Sequence, residues 1–245
     1  MISIVHTLPD YTTKYKMAKI FGNIDDAELA ARLGSIDTFD RRGNIIWMDD
    51  FEHGLEKWEL SGNGAGNDSY ISIDHVLTKS SSLKLILGSD SLRMYTATTY
   101  HHLPVLGRIG FEIAFKIDTE FDYAEINESI IVNSARIRPR IKVDYTNSKI
   151  QLYDGAGNWQ DVITGISFAT EKSFFHRLKF VIDYTTKKYV RLLFDNQSKD
   201  ISAHSCNEDV SAVTDRFIVQ TQWFGDVGEN PEVYIDNVIL TQNEF

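Results

Sequence analysis

Basic residues recur at every second position in Ser134-Ala-Arg-Ile-Arg-Pro-Arg-Ile-Lys-Val143. Successive side chains of an extended strand alternate between faces, which puts Arg136, Arg138, Arg140 and Lys142 on one side. Ile137, Pro139, Ile141 and Val143 take the other. Four like charges in a row must be answered by water, carboxylates or an anion. A facing acidic strand, such as one carrying Glu112 and Asp118, would pair them off. Alternatively, the guanidinium forks recognise an acidic glycan or another anion. Pro139 has no N–H to give to a ladder and points to an edge strand or a bulge.

Aromatic rings are the second chemical resource. Sugar binding calls for a flat apolar platform flanked by amides, carboxylates or guanidinia. Trp159 follows the turn Asp154-Gly-Ala-Gly-Asn158, Trp223 and Phe224 precede residues 225–231, and Tyr95 and Tyr100 flank a turn-like region. Together with Arg136, Arg138 and Arg140, the rings of Trp159, Trp223, Tyr95 and Tyr100 form the candidate ligand-binding set. Taken singly, each ring also reads as core, the usual place of such residues in a sandwich. Trp47 and Trp58 lie in strand-like segments and are assigned to packing.

Other reactive residues do not assemble. The single cysteine, Cys206, excludes an intrachain disulfide and a Cys-rich zinc site, and no basic neighbour activates it. It sits in a polar stretch, 202–210, that reads as a loop. His101 and His102 are adjacent, so on a strand they face opposite ways and cannot share a metal. The Gly-rich run 62–66 has no following helix to cradle a phosphate. Residues 165–169 approach a nucleophile elbow but lack its final glycine.

The frame for these residues is a chain of 245 residues, 42% hydrophobic and 12% aromatic, enough to fill a core and too apolar for disorder. Twenty-five Lys and Arg against 35 Asp and Glu give a formal charge of −10, which disfavours non-specific binding to nucleic acid or anionic membranes. Strand-like segments follow one another at 81–87, 108–117, 137–145, 149–153, 174–184, 189–194, 217–223 and 233–240. Gly- and Asn-rich turns separate them, which predicts an all-β, antiparallel β-sandwich. In Phe111-Glu-Ile-Ala-Phe-Lys-Ile117 the apolar residues occupy one face and charged or small ones the other.

Residues 1–45 differ and read as an N-terminal arm ahead of a sandwich over 46–245. Asp25 as N-cap, Glu28 three residues on and Gly34 as a left-handed stop predict a short helix. Residues 36–39 and 44–48 flank Asp40-Arg-Arg-Gly43, a predicted hairpin turn. So small a segment must lean on the main domain or on another chain, here a homo-oligomer partner. No secretory leader and no membrane-length apolar run is legible, which leaves a cytoplasmic protein or one released in a phage-like particle.

Three segments carry a family resemblance. Asp49-Asp-Phe-Glu-His-Gly-Leu-Glu-Lys-Trp58 resembles the opening strand of secreted jelly-roll modules, Ser81-Ser-Leu-Lys-Leu85 their Ser-Leu-Lys-Leu strand, and Tyr234-Ile-Asp-Asn-Val-Ile-Leu240 their closing strand. Between them, residues 150–159, Phe175–Phe180 and Tyr189–Phe194 look like the middle of the concanavalin A-like lectin/glucanase superfamily. The resemblance implies a jelly roll over residues 46–245 that reads a glycan or polysaccharide. It also implies a structural calcium bridging the first and last strands, with Asp50 or Glu52 and Asp236 as ligands. The same carboxylates read equally well as surface groups or turn acceptors, since calcium needs six to eight oxygens.

Glucanases of this superfamily carry Glu-x-Asp-x-x-Glu on one strand. The nearest segment here, Glu125-Ile-Asn-Glu-Ser-Ile130, has Asn127 and Ile130 in place of the last two carboxylates. Glu125 and Glu128, three apart, would face opposite ways on a strand, and the stretch reads as a solvated loop. The expectation is a non-catalytic, lectin-like domain. A structural or adhesion protein of a phage-like assembly is the alternative, and a degenerate glycosidase the third reading.

Overall fold

A computed structural model describes residues 39, 40, 42–63, 65–88, 94–117, 121–169, 174–225 and 230–245. The expected helix at 25–34, the rest of the arm to residue 38, and any subunit contact through them lie outside the described residues.

Within those residues the chain forms two antiparallel sheets. Strands are numbered along the chain. The first sheet runs β14 (Gln197–Asp200), β13 (Lys188–Phe194), β12 (His176–Asp183), β6 (Arg108–Ile117), β17 (Glu232–Gln242), β4 (Ser82–Leu87) and β3 (Asn67–Ser72), with β1 (Asn44–Asp49) beside the second half of β17. The second runs β11 (Trp159–Thr164), β10 (Lys149–Tyr153), β9 (Arg140–Asp144), β7 (Phe121–Val132), β16 (Arg216–Gly225), β5 (Met94–His101) and β2 (Glu59–Asn63). Off its path, β8 (Ala135–Arg138) pairs with the end of β7, and β15 (Asn207–Val210) pairs with β8. No described helix is long and apolar enough to cross a membrane.

Period-two alternation builds the core. Phe111, Ile113, Phe115 and Ile117 of β6 turn inward and are fully buried. Phe217, Val219 and Trp223 of β16 do the same from the second sheet. Phe115 and Phe121 bracket Trp223, with ring centroids 5.3 and 5.7 Å away. Burying aromatic surface of this kind is the main term holding two sheets face to face. Trp58 also packs as expected, its indole N–H donating to Asp49 at 2.7 Å.

Several local expectations change. The strand expected over 137–145 is two strands, because Pro139 cannot donate to the ladder and the chain breaks there. Tyr189 secures the break, accepting from the Arg140 N–H at 2.9 Å and donating to the Tyr153 carbonyl at 2.8 Å. Residues 125–130, expected as a solvated loop, lie inside the twelve-residue β7, paired throughout by β16 and on the other side by β9 as far as Asn127. A tight turn follows β7, with Asn133 and Ser134 both at positive φ (50° and 62°), as two-residue hairpin loops require. The turn-like region between Tyr95 and Tyr100 is strand β5, and the loop expected around Cys206 ends in β15. β1 forms where its half of the predicted hairpin was placed, but its partner is β17.

Candidate functional site

The alternation that fills the core also populates the other side of the second sheet. On β7, Ala124, Ile126 and Ile130 belong to the core, so Tyr123, Glu125, Asn127 and Ser129 project outward. Register places Gln222 opposite Glu125 and Gln220 opposite Asn127 on β16, with Lys142 and Arg140 opposite the same two residues on β9. Tyr153 and Trp159 pair across β10 and β11. One stretch of that outer face therefore gathers the rings of Tyr123, Phe224, Tyr153 and Trp159 with the amides of Asn127, Gln220 and Gln222 and several charges.

The rings are interleaved with cations. Tyr123 stacks on Phe224 at 4.3 Å between centroids, and Tyr153 meets Trp159 edge-on at 5.1 Å. The Arg140 guanidinium carbon lies 3.6 Å from the Tyr153 centroid and 5.3 Å from that of Trp159, while Lys142 Nζ lies 4.3 Å from Tyr123 and 5.5 Å from Trp159. Asn127 donates weakly to Gln222 at 3.5 Å, and Gln220 donates to Thr98 at 3.1 Å. Asn127 Oδ1, Arg138 Nε and Arg140 Nε are shielded from solvent yet have no hydrogen-bond partner. Shielded polar atoms without partners are uncommon and costly, and a bound ligand is one way to satisfy them.

The basic row meets different carboxylates from those expected. Glu112 belongs to the first sheet, and Asp118 lies outside the described residues. Arg136 grips Asp209 of β15 through two bonds of 2.7 Å, and Arg138 reaches the same carboxylate at 3.0 Å. Arg140 pairs with Glu125 at 3.2 Å and Lys142 with Asp144 at 3.7 Å. Burial, and then the charges of Arg136 and Arg140, hold Arg138 below its ordinary pKa.

Arg140 lies beside Trp159, while Arg136 and Arg138 share Asp209. Tyr100 shares the outer face but stands on β5, five strands from Trp159, roughly 24 Å at the usual strand spacing. Its exposed ring has Arg216 5.6 Å away. Trp223 and Tyr95 are core residues and offer no ring face to a ligand. The parity of β16 carried that signal, since Trp223 falls in step with Phe217 and Val219, whereas Gln220, Gln222 and Phe224 fall in the opposite phase. Tyr123, Tyr153, Asn127 and these two glutamines are the residues that spacing and turn context overlooked.

Glu125 and Glu128 do face opposite ways. Glu128 is fully buried between the sheets, one oxygen accepting from the Tyr184 hydroxyl at 3.1 Å, and burial holds its carboxyl well above the ordinary range. It has no access to a ligand on the outer face. Cys206 is also buried, and burial with the nearby Glu128 and Glu208 pushes its thiol up, which keeps it unreactive.

The three carboxylates considered for calcium sit near one another around the 77–81 loop, but each faces hydrogen-bond donors. Asp50 takes the Lys79 ammonium. Glu52 accepts from the Ser80 and Ser81 amides at 2.9 and 2.7 Å and from the Ser80 hydroxyl at 2.6 Å. Asp236 accepts from the amides of Leu77, Thr78 and Asn237. A bulge at Asn237 (φ 49°) turns it toward that loop, and burial together with Asp50 pushes its carboxyl up to about 6. Among the described residues no three such side chains are placed to hold a metal ion. An ammonium and backbone N–H groups occupy the oxygens calcium would need, so this donor set does not fit the ion.

No protein-family model matches the chain, and no curated protein matches it in sequence. Among solved structures it is similar to the cellulose induced protein Cip1, at a TM-score of 0.51 and 13% identity over 81% of this chain and 98% of that one. A glycoside hydrolase family 16 endo-glucanase from Bacteroides ovatus is similar at a TM-score of 0.50 and 14% identity, over 80% of this chain and all (100%) of that one. At such identities the likeness is one of fold, a two-sheet antiparallel β-sandwich.

Proposed function

We propose that this protein is a carbohydrate-binding domain that holds a glycan across the outer face of its second sheet without cleaving it. One observation carries the reading: Trp159, Tyr153, Tyr123 and Phe224 share that face with Asn127, Gln220, Gln222 and Arg140, and some of its shielded polar atoms lack partners. Rings that cover the apolar side of a sugar, beside amides and guanidinia that bond its hydroxyls, are the requirements of such a site. The shared fold with an endo-glucanase and a cellulose-induced protein agrees with a polysaccharide ligand.

The absence of cleavage rests on β7. Retaining hydrolysis needs an acid and a nucleophile about 5–5.5 Å apart. The outward positions 125, 127 and 129 supply Glu, Asn and Ser, and Glu125 is already paired with Arg140. Glu128 lies on the wrong side of the sheet. A glycan array probed with the intact protein at low salt, followed by reducing-sugar assays on every hit, tests both halves. We expect binding that falls at least about tenfold in Trp159→Ala, in line with the loss of one stacked ring, and no sugar release. Sugar release abolished by Glu125→Gln would make the protein a glycosidase instead.

A further inference from the structure

Four cations, Arg136, Arg138, Arg140 and Lys142, line one end of the candidate glycan face, and among the described residues the carboxylates paired to them number three: Asp209, Glu125 and Asp144. The pairing is uneven. Arg136 engages both oxygens of Asp209 in a fork, which leaves Arg138 a single shared oxygen. Glu125 gives Arg140 one bond, through Nη1. The Nε atoms of both Arg138 and Arg140 remain shielded and without partners. In a chain of formal charge −10, Arg140 and Lys142 thus lie beside Trp159, 5.3 and 5.5 Å from its centroid.

Neutral hydroxyls could bond the exposed edges of these side chains, 32% and 17% accessible, but would leave the crowded guanidinia as they are. A carboxylate or sulfate would do both, because its oxygens accept parallel N–H bonds from an arginine fork and its charge offsets the repulsion. The position also suits a ring substituent, since the Arg140 guanidinium lies against Tyr153 and close to Trp159.

We infer that the glycan read on this face is anionic, with a carboxylate or sulfate group seated against Arg138 and Arg140, an inference that rests on the carbohydrate-binding reading above. Three soluble polymers separate the possibilities: polygalacturonate, a sulfated galactan and a neutral β-glucan, each titrated calorimetrically. At least one acidic polymer should bind more tightly than the neutral one. Its affinity should fall at least about tenfold between about 20 and about 300 mM NaCl, as contacts with exposed ionic groups are screened. Whichever acidic polymer binds identifies the group as uronate or sulfate. Arg138→Gln should weaken that binding by about tenfold, the usual scale for a hydrogen bond to a charged group. The salt comparison uses the unaltered protein, so it decides the matter even if the variant fails to fold. Salt-independent binding of the neutral glucan, equal to or tighter than that of both acidic polymers, would overturn the inference and leave the carbohydrate reading standing. Silence toward all three polymers would overturn both.

Discussion

The outer faces of the two sheets arise from the same strand alternation, yet they are finished differently. On the first sheet, β6 and β12 turn Glu112 and Lys179 outward, and both are buried against Phe39, Asp40, Arg42 and Glu244. Lys179 Nζ lies 2.8 Å from Glu244, 3.3 Å from Asp40 and 3.9 Å from Glu112, and it donates to the carbonyls of Asp40 and Arg42. Arg191 closes the cluster through Glu244, Asp40 and the carbonyl of Phe245. On the second sheet the outward side chains range from buried Asn127 and Ser129 to exposed Tyr100, and rings are interleaved with cations. A polar sheet face is therefore not by itself a site. What separates the second sheet's face from this covered cluster is the rings of Tyr123, Tyr153, Trp159 and Phe224 rather than charge or unmet hydrogen bonds, since Arg191 Nε in the cluster is also shielded without a partner.

Breaking the sealed face should have the largest effect. Lys179→Met leaves Glu112, Glu244 and Asp40 facing one another without their ammonium, and should cost about 3–5 kcal/mol in urea unfolding, the range for a buried pair that loses one member. A cost below about 1 kcal/mol would mean that water enters the cluster and that the face is open after all.

The same face predicts a pH dependence. Burial raises the Glu112 carboxyl to about 7, partly opposed by Lys179. The folded protein then holds a proton that the unfolded chain has already released, so this group withdraws stability as pH rises from about 4.5 to about 7. Glu112→Gln has no charge to bury and should flatten that slope, narrowing the difference between pH 5 and pH 7.5 by about 1–3 kcal/mol. Equal slopes in the two proteins would place the titration elsewhere.

The open face should show the reverse pattern. Trp159→Ala, which weakens glycan binding, should change unfolding stability by less than about 1 kcal/mol, because a half-exposed ring at a sheet edge contributes little to the core. A larger loss would make Trp159 a packing residue. The smallest effect belongs to calcium. With Lys79 already on Asp50 and backbone amides on Asp236, millimolar calcium or a chelator should move the melting temperature by less than about 1 °C, since an ion that does not bind the native state cannot stabilise it. A rise that saturates with calcium would show that the ion displaces the Lys79 ammonium.

Much of the sandwich was legible in the sequence because strand alternation is a local property. β6 and β10 fall on their expected bounds, and β4, β12, β13, β16 and β17 within two residues of theirs. β5 and β7 were not legible. Met94-Tyr-Thr-Ala-Thr-Thr-Tyr-His101 and Glu125-Ile-Asn-Glu-Ser-Ile130 carry polar residues on both faces, and one of the inward ones, Glu128, is a buried acid that no pattern of apolar residues anticipates. The candidate site divides the same way. Trp159 and the arginines stand out by type and spacing, whereas Asn127, Gln220 and Tyr123 are ordinary residues until neighbouring strands align them.

By itself the sequence determined an antiparallel sandwich, one face of basic residues at positions 136 to 142, and a core of alternating aromatic and aliphatic side chains. Those features depend on nearest neighbours along a strand, whose geometry alternates with period two. Only the tertiary structure decided which carboxylates answer the arginines, which tryptophan is buried, and which of two polar sheet faces stays open. These are matters of register between strands far apart in the chain, and pairing brings such residues together whatever their separation in sequence.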